Sequence, residues 1–188
     1  GFKGVRWAST QLRHDLKTKQ TKVEPADGKV CAVSRSIHYG LCLAFEGIRF
    51  SCRMKDGKLH FTFYNLSANL KRFGDSIRFN LLRKDHEFVP GAEGMRELVL
   101  QYLSLAENRS LFEDMARSGQ QGYLRPFTVD EDQNIGVTFP QQPSIRMVSM
   151  GYDDYMGEPF SGVVIPHLVR AVGVNGTGWL KLGVNYLM

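Results

Sequence analysis

Apolar and polar residues alternate through Ile48–Met54 and again through Lys58–Tyr64, with Lys55-Asp56-Gly57 between them. A period of two marks half-buried strands, and a Lys-Asp-Gly link between two such runs predicts a hairpin. The period then changes. Leu66, Leu70, Phe73 and Ile77 recur at helical spacing behind Asn65 and Ser67, either of which can cap a helix. Pro90–Gly94 opens a second helical segment whose apolar face is Met95, Leu98, Val99, Tyr102 and Leu103. Gly122–Phe127, Ile135–Phe139 and Ile145–Met150 read as strands, and Pro126 assigns the first of them to a sheet edge or a strand end. A Pro-Gln-Gln-Pro turn parts the last two.

The signal is weaker upstream. Thr10–Gln20 fits a short basic helix or a strand, Pro25–Gly28 a turn, and Lys29–Val33 a strand. Ile37–Arg49 fits a short helix followed by a strand. Tyr152–Gly162, rich in Asp, Gly, Pro and Tyr, reads as a linker, and Val163–Val174 is rich in β-formers. Strands and hairpins with two helices predict an α+β fold. The expected organisation is a small mixed α/β domain over 1–151, a linker over 152–162 and the first strands of a second, incomplete domain over 163–188. So few residues after the linker make no domain, so the sequence is expected to be cut off.

Composition narrows the class. With 188 residues, 43% hydrophobic and 23% charged, the chain suits one good core or two small ones. The net charge of +5 suits an anionic ligand, but the cations are spread along the chain. Neither nucleic acid nor a membrane is expected as a partner: there is no long basic run and no apolar run near the ~20 residues of a span. From the polar start, no secretory signal is expected. Cys31, Cys42 and Cys52 lack metal or redox spacing and read as reduced thiols of a cytoplasmic protein. The five histidines show no metal-site spacing, so no metal is expected. Gly173–Gly178 has the glycines of a dinucleotide loop without its spacing.

Candidate chemistry lies at the end. Gly176-Thr-Gly-Trp-Leu-Lys181-Leu-Gly-Val-Asn-Tyr186 puts one lysine between glycine-rich turns. In a dry pocket such a lysine loses its proton and becomes a nucleophile toward an aldehyde. On a solvated loop it does neither, and the segment alone leaves both readings open.

Several segments in order resemble one family. They are His38-Tyr-Gly40, Ala44-Phe-Glu-Gly-Ile-Arg49, Asp56-Gly57, Asn69-Leu-Lys-Arg72, Tyr123-Leu-Arg-Pro126, Val169-Arg-Ala171, Gly176-Thr-Gly178 and Lys181-Leu-Gly-Val-Asn-Tyr186. From about residue 30 onward the chain resembles the branched-chain amino acid aminotransferases, among the fold-type IV pyridoxal phosphate enzymes that include D-amino-acid aminotransferase and aminodeoxychorismate lyase. The resemblance implies that 1–151 is the N-terminal domain of that fold and that 163–188 begins the cofactor domain. It implies pyridoxal 5'-phosphate as cofactor, held by Lys181, Arg72 and Tyr186. Lys181 resembles the lysine that forms the Schiff base and shuttles the proton. Arg72 matches the phosphate-binding arginine and Tyr186 the tyrosine at the cofactor's phenolic oxygen. Tyr39, Phe45, Arg49, Tyr123 and Arg125 match positions that shape the substrate pocket or bind its carboxylate. For these residues the alternatives are a solvent-facing helix arginine, ordinary sheet packing and surface charge.

The implied activity is transamination of branched-chain or similar amino acids with a 2-oxo acid acceptor, in a homodimer. Two departures qualify it. The glycine pair that usually follows the lysine is Gly183-Val184 here. The family also continues well past the lysine, into the part that faces the pyridine nitrogen, so these 188 residues alone are expected to turn over little. A lyase of the same fold and a noncatalytic interaction module are the rival readings.

Overall fold

The computed structural model describes residues 2–26, 41–80, 86–130 and 142–155. In chain order these form strands β1 (Phe2–Lys3), β2 (Arg6–Trp7), β3 (Thr10–Asp15), β4 (Thr21–Pro25), β5 (Leu41–Phe45), β6 (Ile48–Lys55) and β7 (Lys58–Phe63). Helices α1 (Leu66–Asn80), α2 (Ala92–Leu103) and α3 (Arg109–Ser118) follow. Strands β8 (Gln121–Asp130), β9 (Pro143–Tyr152) and β10 (Asp154–Tyr155) complete the described residues. An eight-stranded antiparallel sheet runs β4-β3-β9-β8-β6-β7, with β2 also paired to β9 and β5 to β8. Sheet and helices together make the α+β fold expected from the sequence.

The β6–β7 hairpin is as predicted. Asp56 and Gly57 both hold positive φ, 51° and 72°, which gives the two-residue turn the twist its strands need. On α1, Leu70, Phe73 and Ile77 are buried, and Leu66 packs against the same cluster. On α2, Met95, Leu98, Val99 and Tyr102 are buried. These side chains meet Ile48, Phe50, Leu124, Ile145 and Met147 on one face of the sheet. Tyr102 carries a polar tip into that core and bonds Ser149 Oγ at 2.8 Å, so its burial leaves no hydroxyl unsatisfied.

Two expectations are corrected and one open alternative is settled. The described residues hold three helices, not two. Helix α3 buries Phe112 and Met115 and stops at Gly119, whose φ of 72° suits a residue without Cβ. Thr10–Asp15 settles the helix-or-strand alternative as strand β3, pairing with both β4 and β9. Pro126 lies neither at an edge nor at a strand end, but inside β8, which is flanked on both sides. Along β8 the partner changes from β6, at Gln121–Leu124, to β5, at Phe127–Asp130. Pro126 sits at that change, and its carbonyl accepts Glu46 N at 2.9 Å from the turn between β5 and β6. A residue's N–H and C=O point the same way in an antiparallel strand, so the missing donor faces the one place where no strand needs it.

The eight-stranded sheet ends where the linker was expected to begin, and a separate two-stranded sheet follows it. Tyr152 ends β9, and β10 pairs with β1 through Phe2–Tyr155 and Lys3–Asp154. Strands expected over Lys29–Val33 and Ile135–Phe139, the first residues of the helix expected at the start of Ile37–Arg49 and everything after Tyr155 lie outside the described residues; from Leu41 to Phe45 that stretch is strand β5.

Candidate functional site

Phe45, Glu46 and Gly47 close the short link between β5 and β6. Side chains alternate across a strand, so successive residues here serve opposite faces of the sheet. Phe45 joins Phe127, Val129, Val148 and Ala8 in a second cluster, distinct from the main helix-covered one. Glu46 is directed toward α1.

Glu46 is only 4% exposed, and its carboxylate is fully engaged. Arg72 Nε donates to Oε2 at 2.7 Å, and Arg72 Nη2 to Oε1 at 2.9 Å. Gly47 N, at 3.1 Å, and Asn69 Nδ2, at 3.2 Å, also donate to Oε1. Asn69 Nδ2 further reaches the Gly47 carbonyl at 3.3 Å. Asn69 and Arg72 are three residues apart on α1 and so share a helix face. The hydrogen bonds to Glu46 raise the Arg72 pKa, burial opposes that rise and the attraction of the carboxylate adds to it. Arg72 thus remains a cation at every relevant pH. Its Nε/Nη2 edge is consumed by Glu46. The Nη1/Nη2 end of the fork remains for an acceptor, and 41% of the side chain is exposed.

Tyr123 and Arg125 lie two apart on β8 and so share its other face. Arg125 Nη2 donates to the Tyr123 hydroxyl at 3.2 Å. The Arg125 guanidinium stands 5.3 Å from the Phe45 ring centre and 5.4 Å from that of Tyr123, within cation–π range of both. Arg49 is the direct cross-strand partner of Tyr123, exposed on the same face. Gly47 makes the arrangement possible. A Cβ on it would overlap the Tyr123 hydroxyl and stand 2.6 Å from Cζ.

Of the predicted site residues, the structure gathers Phe45, Arg49, Arg72, Tyr123 and Arg125 around this one turn. Lys181, Tyr186 and Tyr39 lie outside the described residues. Glu46, Gly47 and Asn69 lie within the same motifs, and the sequence alone marks none of them as a site residue. The i, i+3 spacing of Asn69 and Arg72 was the available signal; the carboxylate that both would meet was not visible without the fold.

No family model matches the chain, and no curated protein matches it. Among solved structures it is similar to the T.th. branched-chain amino acid aminotransferase, solved with N-(5'-phosphopyridoxyl)-L-glutamate. There the identity is 19% over 77% of this chain and 41% of that one, with a TM-score of 0.43. It is also similar to the branched-chain aminotransferase of the archaeon Thermoproteus uzoniensis, solved with norvaline, at 18% identity over 79% and 40%, TM-score 0.38. An aminotransferase of Brucella abortus bound to PLP matches at 17% identity over 80% and 44%, TM-score 0.39. The chain spans less than half the length of each of these proteins.

Proposed function

We propose that this chain forms part of a pyridoxal 5'-phosphate-dependent aminotransferase site for branched-chain or similar amino acids, with a 2-oxo acid as acceptor. One observation carries the reading. Arg72 on α1 and Tyr123 and Arg125 on β8 match the family pattern, and they converge on one turn, Arg72 at Glu46 on the helix side and Tyr123 and Arg125 at Gly47 and Phe45 on the other. Chance matches scattered over a chain have no reason to meet.

The donor set fits the cofactor's phosphate, because a guanidinium end binds two oxygens of such an anion through parallel bonds. Arg72 holds the phosphate. Tyr123 and Arg125 take the substrate carboxylate, and Arg49, on the same face, adds positive charge. Phe45 offers an apolar wall beneath Arg125, and the resemblance alone assigns Tyr39 to the substrate. The bound cofactor supplies an electron sink for the substrate's Cα. Lys181 would hold the cofactor through its aldehyde carbon and, once the substrate amine had displaced Nζ from that carbon, would be the base that carries the Cα proton, while Tyr186 would donate a hydrogen bond to the phenolic oxygen. On this reading the protein works in the cytoplasm as a homodimer. No helix among the described residues is long and apolar enough to cross a membrane.

Borohydride reduction with pyridoxal 5'-phosphate, followed by peptide mass mapping, tests the reading. A stable label on Lys181 that weakens in Arg72→Met supports it. Label scattered over surface lysines, indifferent to Arg72, refutes it. A requirement for a 2-oxo acid in product formation separates transamination from lyase chemistry.

A further inference from the structure

We propose that Glu46 is a positioning residue for the phosphate of the cofactor: it fixes the Arg72 guanidinium side-on, so that the Nη1/Nη2 end is presented to the anion. The inference rests on the proposed function, since it requires Arg72 to be the phosphate ligand.

Three features of the site carry it. The carboxylate is itself immobilised, being buried and receiving Gly47 N and Asn69 Nδ2 besides the two arginine bonds. The contact is bidentate, at 2.7 and 2.9 Å, which fixes the plane of the guanidinium as well as its position. The edge it uses is Nε/Nη2, the one an anion at the end of the fork does not need. A free arginine on the surface of α1 would have many rotamers to lose on binding. One held by Glu46 has already lost them, which lowers the cost of binding.

The arrangement has an electrostatic cost with a definite sign. Glu46 neutralises Arg72, so on charge alone its removal would strengthen the attraction for a phosphate dianion. Orientation predicts the reverse. Glu46→Gln places an NH2 group among four donated hydrogens, so the guanidinium must turn away. The direction of the effect therefore distinguishes the two.

The test measures the affinity of the 188-residue chain for pyridoxal 5'-phosphate and for pyridoxal by absorbance titration. Their ratio reports the phosphate contact, and the pyridoxal arm corrects for any loss of folded protein. The Glu46→Gln ratio is expected to fall about tenfold. Arg72→Met is expected to lose the phosphate preference, and Glu46→Gln added to it should change nothing more. Asn69→Ala removes one anchor of the carboxylate and leaves the ion pair, so a fall of a few-fold is expected. It decides the matter if Glu46→Gln does not fold by circular dichroism. A ratio unchanged or raised in the folded variants overturns the role of Glu46. If Arg72→Met also leaves the ratio unchanged, the phosphate assignment of Arg72 falls, and both readings fall with it. If Arg72→Met lowers it and the Glu46 and Asn69 variants do not, the positioning inference alone fails.

Discussion

Gly47→Ala should loosen the site while leaving the fold intact. The added Cβ would overlap the Tyr123 hydroxyl and stand 2.6 Å from Cζ, so the hydroxyl end must retreat by about 1.5 Å to reach ordinary contact. Overpacking of this kind costs about 1–3 kcal/mol in a rigid core. Tyr123 is only half-buried, and its hydroxyl is the mobile end of the side chain, so the lower half of that range applies. The retreat also breaks the 3.2 Å bond from Arg125, worth about 1 kcal/mol net where solvent cannot fully replace it. Together these give a destabilisation of about 2 kcal/mol. At a urea m-value of about 2 kcal/mol/M, the unfolding midpoint drops by about 1 M. The decisive measurement is a double-mutant cycle. In a Tyr123→Ala background the space is vacant, and Gly47→Ala should shift the midpoint by less than about 0.3 M. Equal shifts in both backgrounds would refute the claim that glycine is required by Tyr123, and would point instead to the backbone of the turn.

Asn108→Ala removes a side chain that accepts Thr10 N at 3.2 Å and donates to Thr10 O at 3.0 Å while 1% exposed; a loss of about 2–3 kcal/mol is expected in urea unfolding. Cys52 is buried, its thiol pKa pushed up to about 11 by desolvation, and it donates to Phe112 O at 3.2 Å. At about pH 8 iodoacetamide should modify it only in denaturant, and peptide mapping that finds equal labelling in the native protein contradicts this. His14 is held below its ordinary value of 6.5, first by burial and then by Lys19, with Asp15 opposing. The unfolded chain therefore binds the proton more readily. Stability present above pH 6.5 should be lost as the pH falls below it, with a shallower loss in His14→Gln across about pH 7 to 5. Equal slopes for the two proteins would exclude His14 as a source.

The parts of the fold readable in advance were those fixed by local pattern. The β6–β7 hairpin needed only its alternation and the Asp56-Gly57 link, and α1 and α2 needed only their apolar stripes. Helix α3 escapes a sequence reading because its buried face is short, Phe112 and Met115, amid Arg, Glu and Asp. Pro126 is misplaced for a different reason. A proline rule speaks of one strand and its ladder, whereas the ladder beside Pro126 is interrupted by where β5 ends and β6 begins. That fact belongs to three strands at once.

The site divides along the same line. Arg72, Arg125, Tyr123 and Phe45 could be singled out only through the resemblance, because their types alone fit surface charge and sheet packing equally well. Glu46 and Gly47 could not, because one acts by what it holds and the other by what it lacks. Glu46 determines which edge of Arg72 is available, and Gly47 determines whether Tyr123 can stand against Arg125. They are adjacent, so any shift of this turn moves the arginine on α1 and the tyrosine on β8 together. Substitutions at either residue should therefore disturb both groups, whereas Arg72→Met and Tyr123→Ala should each leave the other's environment unchanged. That asymmetry separates a shared turn from two independent contacts that merely lie close together.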